Sequence, residues 1–364
     1  MKGLVYMISI SLCMIVKDEE DVLARCLDSA RDIVDEIVIV DTGSTDRTRK
    51  IAAGYTDLVY DFEWIDDFSA ARNYAFSKGT KEYLMWLDAD DVISERDRQG
   101  FLALKKDLDP SVDVVMMKYH TGYDEMGNPS FSYYRERLIK NHKGYQWNSP
   151  IHEAITPSGN IIYSKTGVEH RKLKAADPDR NLRIFEKMIR EGTVLDPRQQ
   201  FYYAGELYYH HRYEESKENY EIFLRSGGGW LENQIEACRQ IADCYHQMGQ
   251  KKEELEALFY SFSLDIPRAE ICCDIGKYFF ESEKYPIAVF WYELAANTTR
   301  QDERGGFVLP DCYDYIPYLQ LCVCYDKLGD YRTANTYNEM AGKVKPDSKT
   351  YLANRVYFTN RLSQ

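Results

Sequence analysis

Tyr83-Leu84-Met85-Trp86-Leu87-Asp88-Ala89-Asp90-Asp91 decides the fold. An apolar run stops abruptly at a cluster of carboxylates, the pattern of a buried strand that ends at an acidic sheet edge. Upstream, Ile8–Val16 and Glu36–Val40 read as further strands, and Leu58–Tyr60 as a shorter one. Helical spacings lie between them. Val22, Leu23, Cys26, Leu27 and Ala30 share one face, Thr45 or Asp46 caps a helix through Ala53, and Phe68–Lys78 carries small residues on one side. Strand and helix in alternation predict an α/β unit with a mostly parallel sheet. Ligands of such sheets sit at the carboxyl ends of strands, so the loops after Val16, Val40 and Leu87 open on one functional edge.

The 364 residues correspond to about two domains of roughly 150 residues each. With 44% hydrophobic and 29% charged residues, both can bury a core. A net charge of -13 argues against general affinity for nucleic acid or an anionic membrane, which reward the opposite sign. The nine cysteines follow no spaced framework: Cys272 and Cys273 adjoin, and Cys322 and Cys324 are two apart. They read as reduced, mostly buried thiols of a cytoplasmic protein. Lys2 and the apolar run Leu4–Val16 resemble a leader peptide, but no small-residue cleavage pattern follows. The run ends at Lys17-Asp18-Glu19-Glu20 and is too short to span a bilayer, so a strand and a chain without membrane insertion are expected.

Beyond residue 175 the strand rhythm gives way to a long helical period. Ala204, Ala242, Gly276 and Cys322 are separated by 38, 34 and 46 residues. Three positions after each lie Leu207, Tyr245, Phe279 and Tyr325. Nine after lie Tyr213, Lys251, Tyr285 and Tyr331, and twelve after lie Ser216, Glu254, Ala288 and Ala334. Small residues let antiparallel helices approach, and aromatics fill the space beside them. The pattern resembles the tetratricopeptide (TPR) repeat, with polar Lys251 and Glu254 in the second copy and an insert around Gln301–Pro310. Domains of 1–175 and 176–364 follow. Most of the 30 tyrosines fit core positions rather than a sugar-stacking surface.

The acidic edge is where chemistry is expected. Carboxylates crowded at a strand end are costly unless a cation or ligand compensates them. Alternate spacing places Asp88 and Asp90 on one side of an extended chain, and hard oxygens suit Mg²⁺ or Mn²⁺. A solvated acidic loop is the competing reading. Asp41 ends its strand at Thr42-Gly43-Ser44-Thr45-Asp46, where its carboxylate can accept hydrogen bonds from a base or ribose and Gly43 permits a tight turn. Asp-Thr-Gly-Ser also spells an aspartic-protease signature, but no second copy exists and a helical pattern follows. In Asp67-Phe68-Ser69-Ala70-Ala71-Arg72-Asn73, Ser69 can cap a helix and Arg72 brings a guanidinium to the acidic edge, as ligand or as partner of an aspartate.

These segments in order, with Val16-Lys17-Asp18-Glu19-Glu20, resemble family 2 glycosyltransferases of GT-A fold over the first quarter of the chain. With helical repeats behind them, the whole is similar to bacterial peptide glycosyltransferases of the SunS type, which glycosylate Cys or Ser of bacteriocin precursors. Pro150-Ile151-His152-Glu153 fits their His-Glu pair, and Gly167-Val168-Glu169-His170 a later strand ending in His. The resemblance implies a UDP-sugar donor across the sheet edge. Asp41, Glu19, Ser44 and the backbone near Val16 would hold the nucleoside. Asp88 and Asp90 would face the ribose and a divalent metal, Mg²⁺ or Mn²⁺, with His170 completing its shell. Arg72 would support the leaving nucleotide. Inversion by direct displacement needs a base, for which Glu153 is favoured over Asp91, while His152 either orients the loop or takes part. Arg135 and Arg137 either neutralise phosphate or lie on the surface. The Gln-x-x-Arg-Trp motif of processive members is absent, against a polymerising synthase. A peptide or protein acceptor is implied, with the repeats as its groove or as a homodimer surface. The alternatives are a lipid-linked or cell-envelope glycan acceptor, and a repeat-based binding protein with a degenerate catalytic half.

Overall fold

The computed structural model describes residues 7–123, 127, 129–173, 177–301, 304 and 306–363. Residues 4–6 of the first apolar run, the expected boundary at 175 and 176, and residues 302, 303 and 305 of the expected insert lie outside the described residues.

The first unit carries β1 (Ile10–Val16), α1 (Leu23–Ala30), β2 (Glu36–Asp41), α2 (Thr48–Ala52), β3 (Val59–Asp61), α3 (Phe68–Lys78), β4 (Tyr83–Met85), β5 (Asp91–Val92), α4 (Glu95–Asp107), β6 (Val114–Tyr123), β7 (Pro129–Lys140), β8 (Trp147–Asn148), β9 (Ala154–Ile155), β10 (Ile161–His170) and α5 (Arg180–Arg190). Eight strands form one sheet in the order β3-β2-β1-β4-β7-β6-β10-β5, and β8 pairs with β9. The pairings β1–β2, β2–β3, β1–β4 and β6–β10 are parallel; β4–β7, β6–β7 and β5–β10 are antiparallel. The mostly parallel α/β architecture expected from the alternation is present.

β1 shows why its sequence is almost continuously apolar: both faces are covered. Ile10, Leu12, Met14 and Val16 pack with Leu23, Leu27, Ala52 and Phe101 of α1, α2 and α4. Cys13 on the opposite face packs with Ala75 and Phe76 of α3, Trp86 and Trp147. α3 matches its expected span, but its cap is Asp67, whose Oδ1 accepts the Ala70 N–H at 2.9 Å; Ser69 instead donates its hydroxyl to that carboxylate at 2.7 Å. The second helix, expected from a cap at Thr45 or Asp46 through Ala53, runs from Thr48 to Ala52, and Asp46 before it accepts the Thr48 N–H on one oxygen and the Glu20 N–H on the other.

The two compact units part between Val194 and Leu195, beyond the boundary expected at 175. The reason is α5. Its Lys187 is paired with Asp66 at 2.7 Å, and its Phe185 ring stacks on His152 with centroids 6.3 Å apart. A helical pattern belongs here to the sheet-bearing unit.

The second unit is helical: α6 (Pro197–Tyr209), α7 (Tyr213–Arg225), α8 (Leu231–Gln247), α9 (Lys251–Tyr260), α10 (Ala269–Glu281), α11 (Tyr285–Asn297), α12 (Tyr315–Lys327), α13 (Tyr331–Val344) and α14 (Lys349–Leu362). Each spaced small residue sits buried on the first helix of a pair, and Tyr213, Lys251, Tyr285 and Tyr331 each begin the second helix. Ser216, Glu254, Ala288 and Ala334 are buried opposite. The Ser216 hydroxyl donates to the Ala204 carbonyl at 2.7 Å, and polar Glu254 lies 3.2 Å from His246. All nine cysteines are free and buried. Among the described residues no helix is long and apolar enough to cross a membrane.

A Cβ on Gly276 would lie 2.8 Å from the Tyr292 ring, which is itself buried. Gly276→Val is expected to lose about 1–3 kcal/mol by overpacking, seen as a lowered midpoint in thermal denaturation.

Candidate active site

The loops after β1 and β2 are stitched together. Asp18 Oδ1 accepts the Thr45 N–H at 2.7 Å, Ser44 Oγ accepts the Asp18 N–H at 3.0 Å, and Thr48 Oγ1 accepts the Glu19 N–H at 2.6 Å. Asp18 takes a left-handed φ of 54° in doing so. The Val16 carbonyl accepts from the Thr42 N–H and hydroxyl. Asp41 is buried at 4% exposure, and its Oδ1 accepts the Gly43 and Ser44 N–H groups. Its Oδ2 is also buried and has no hydrogen-bond partner among the described residues. A buried carboxylate oxygen left in that state calls for a donor from outside the chain.

After β4 the chain turns rather than staying extended. The Asp91 N–H donates to the Asp88 carbonyl at 3.0 Å. Asp88 and Asp90 therefore do not project together from one side of a strand, as their spacing suggests. Asp88 is bound by Arg72 Nη2 at 2.6 Å, while Asp90 lies 3.4 Å from His170 Nδ1. Burial opposes the charge of Asp88, but the Arg72 guanidinium holds its carboxyl below the ordinary carboxylate range.

Arg72 organises this edge. Its Nε donates to Glu153 Oε1 at 2.6 Å, and its guanidinium lies about equally far from the Trp86 and Trp147 rings, 5.0 and 4.9 Å to their centroids. Burial works against the charge of Arg72, but the two carboxylates raise its pKa above the ordinary guanidinium value. α3 also grips the loop carrying Glu153 at other points: the Phe68 N–H donates to the Pro150 carbonyl, and Asn73 exchanges two hydrogen bonds with the Trp147 backbone. Ser149 and His152 adopt left-handed φ values of 81° and 50°. Strained residues gather here because surrounding contacts impose the geometry. The Glu153 side chain is 13% exposed, and the stacking of His152 on Phe185 gives that imidazole a loop-orienting place.

Asp90, Asp91 and His170 bring potential metal-ligating atoms within 4.8 Å of one another. This cluster contains the expected Asp90 and His170, but Asp91 in place of Asp88. Two hard carboxylates and an imidazole suit Mg²⁺ or Mn²⁺. Hydrogen bonds to Asp90 and Asp91 push the His170 imidazole up to about 10. Asp91, however, has no exposure. It accepts from Tyr119, from Arg137 and from the Asp88 N–H, so it cannot reach an acceptor as a base.

Arg135 and Arg137, expected on phosphate or on the surface, both pack against the Trp86 ring. Arg137 is fully buried over the Trp86 ring at 3.7 Å, and Arg135 pairs with Glu136 at 3.1 Å. Sequence reasoning missed Trp86, Trp147 and Tyr119 as organisers. The signal available was the placement of two of the five tryptophans beside the acidic and His-Glu motifs.

Residues 11–171 match the family model Glycosyl transferase family 2, and the first unit carries a glycosyltransferase domain of that family. A TPR repeat-containing protein of Synechococcus elongatus is 36% identical over 154 residues, covering 42% of this chain and 36% of the relative. The prophage-derived glycosyltransferase SunS of Bacillus subtilis is 28% identical over 229 residues, covering 57% of this chain and 51% of the relative. The lipopolysaccharide core biosynthesis glycosyltransferase LpsC of Rhizobium meliloti is 28% identical over 165 residues, covering 43% of this chain and 61% of the relative. The chain thus spans between 36% and 61% of the length of these relatives.

Removing Asp91 strands the buried Arg137 charge. Asp91→Ala is expected to cost about 3–5 kcal/mol in denaturant unfolding. Asp90→Ala, at the partly exposed end of the cluster, should stay within about 1 kcal/mol of the parent.

Proposed function

We propose that the chain is a cytoplasmic, inverting, metal-dependent glycosyltransferase that moves a hexose from a UDP-sugar to a Cys or Ser side chain of a peptide or protein. The observation that carries this reading is Arg72, which binds Asp88 on the donor side and Glu153 on the base side at one sheet edge. The unpartnered Asp41 Oδ2 supports a nucleoside donor, because it offers an acceptor to a base or ribose at the carboxyl end of β2. Glu19, Ser44 and Val16 shape the adjoining loops through their own hydrogen bonds and backbone.

Asp90 and His170 are the residues to hold Mg²⁺ or Mn²⁺, which when bound neutralises charge on a diphosphate. Arg72 adds a fixed cation near the departing nucleotide without reorganising, because the two tryptophan faces and two carboxylates already hold it. Glu153 is the base. Its carboxylate is held by Arg72 Nε at 2.6 Å, and its partial exposure leaves it within reach of an acceptor. A Cys acceptor depends less on that base, since a thiol titrates nearer neutrality than a hydroxyl. The helical unit would supply a surface for the acceptor peptide or for a homodimer.

A glycan acceptor is the second reading, favoured by the similarity to the relative named for lipopolysaccharide core biosynthesis. Incubation with candidate peptides and with cell-envelope glycans, read as a mass gain of one hexose, separates the two.

With Mn²⁺ present, hydrolysis of at least one UDP-sugar is expected, and its loss in Asp90→Ala. Glu153→Gln should slow transfer to a Ser peptide by about 10²–10⁴-fold and to a Cys peptide by less. The reading fails if no UDP-sugar is bound or turned over and Asp90→Ala behaves like the parent.

A further inference from the structure

The insert between α11 and α12 is seated on the helices of earlier pairs. The Phe307 ring stacks on Phe201 of α6, with centroids 6.1 Å apart and planes 27° from parallel. At Gly306 the backbone runs close against α8. A Cβ there would lie 2.7 Å from Glu232 Oε2, and Glu232 is itself held by Arg268 at 2.9 Å, so the approach needs a residue without a side chain. The Leu309 N–H donates to Glu270 Oε1 of α10 at 2.7 Å, and Arg304 Nη1 donates to Asp265 Oδ2 at 2.6 Å. One short run thus touches the first helix of three successive pairs with an aromatic ring, a bare backbone and an amide donor, and adds a cation beside them. An extended peptide lying across a repeat face would make contacts of this kind.

The insert does not fill the space it crosses. A cavity of about 320 Å³ remains beside it, with Gly306 and Val308 as one wall. Glu232, Glu236 and Arg239, spaced along one face of α8, form another wall, with Ile271 of α10 beside them. Phe307 stays partly exposed, and the Val308 N–H bonds to the Gly306 carbonyl at 2.9 Å instead of to a helix. The cavity is also short of positive charge. Burial raises the carboxyls of Glu236 and Glu270 above their ordinary value. Without Arg304, the carboxylates of Glu232, Glu236, Asp265 and Glu270 outnumber the guanidiniums of Arg239 and Arg268, so the emptied face would attract a cation.

We propose that the face made by α6, α8 and α10 is a peptide groove occupied by the chain's own Arg304 and residues 306–309, and that its partner is an extended peptide with a basic residue three positions before an aromatic one and a small residue between them. The partner takes over the contacts of the insert and fills the cavity that the insert leaves. The proposal rests on the reading of a peptide acceptor. The insert then acts as an internal competitor: a peptide without the aromatic gains too little to displace it, so the insert selects the sequences that the helical unit holds.

The test titrates a fluorescein-labelled peptide with the sequence of residues 301–310 into the full chain and reads binding by fluorescence anisotropy. Phe307→Ser removes the aromatic anchor of the insert and leaves the side chains of the helices as they are. It is expected to bind the peptide about 10–100-fold more tightly than the parent, because the parent groove is open only in the fraction of molecules whose insert has left it. The same peptide with its Phe replaced by Ser should bind to neither protein. Equal affinity in parent and Phe307→Ser, or no binding by either at millimolar peptide, overturns the proposal. A second measurement needs no variant. Saturating peptide should speed hydrogen exchange at the Leu309 N–H of the parent, and unchanged exchange there with peptide bound overturns the displacement. Peptide binding of the expected pattern without any glycosyl transfer would retire the acceptor reading and leave the groove standing. Transfer to peptides with no gain of affinity in Phe307→Ser overturns the groove alone.

Discussion

The candidate site depends on desolvated guanidinium groups held against one indole. Trp86 leaves the end of β4 with Arg72, Arg135 and Arg137 around its ring, 5.0, 4.7 and 3.7 Å from the centroid. A cation over an aromatic face gains about 2 kcal/mol or more once water is excluded, less than the cost of burying it alone. Each arginine therefore also takes a carboxylate: Arg72 has Asp88 and Glu153, Arg135 has Glu136, and Arg137 has Asp91. The pairs fix α3, the turn after β4, the centre of β7 and the loop before β9 in one arrangement. Loss of one partner would leave its opposite charge in a dry setting, so the site resists partial distortion.

This arrangement explains what could be read from the sequence and what could not. β1, β2 and β4 were legible because burial on two faces demands unbroken apolar runs. The repeat spacing was legible because each small residue answers a contact made within its own helix pair. β7 was hidden. Its centre, Tyr134-Arg135-Glu136-Arg137, reads as a polar surface segment, yet Glu136 and Arg137 are buried. Their compensation comes from Trp86, Asp91 and Arg135, and no local pattern announces those partners.

The acidic motif shows the same limit at finer scale. Its position at a strand end was evident, as was its charge. The roles within it were not, because they turn on one backbone hydrogen bond from Asp91 to the Asp88 carbonyl. That turn sends Asp88 to Arg72, Asp90 toward His170 and Asp91 into the interior. A spacing rule for extended chain cannot anticipate it. In the His-Glu pair, Glu153 reaches Arg72 at 2.6 Å, and His152 beside it takes a left-handed φ of 50°.

The pairing of β10 with β5 sets His170 opposite Asp91, residues about eighty positions apart. Closing so long an intervening segment is among the slowest steps open to a chain, since the entropy is lost before the contact rewards it. β10 thus also brings His170 to the candidate cluster with Asp90 and Asp91. A ribosome-bound fragment ending before β10 would carry the loops after β1 and β2 yet lack the His170 imidazole, so the cluster of Asp90, Asp91 and His170 is assembled only once synthesis has passed that strand.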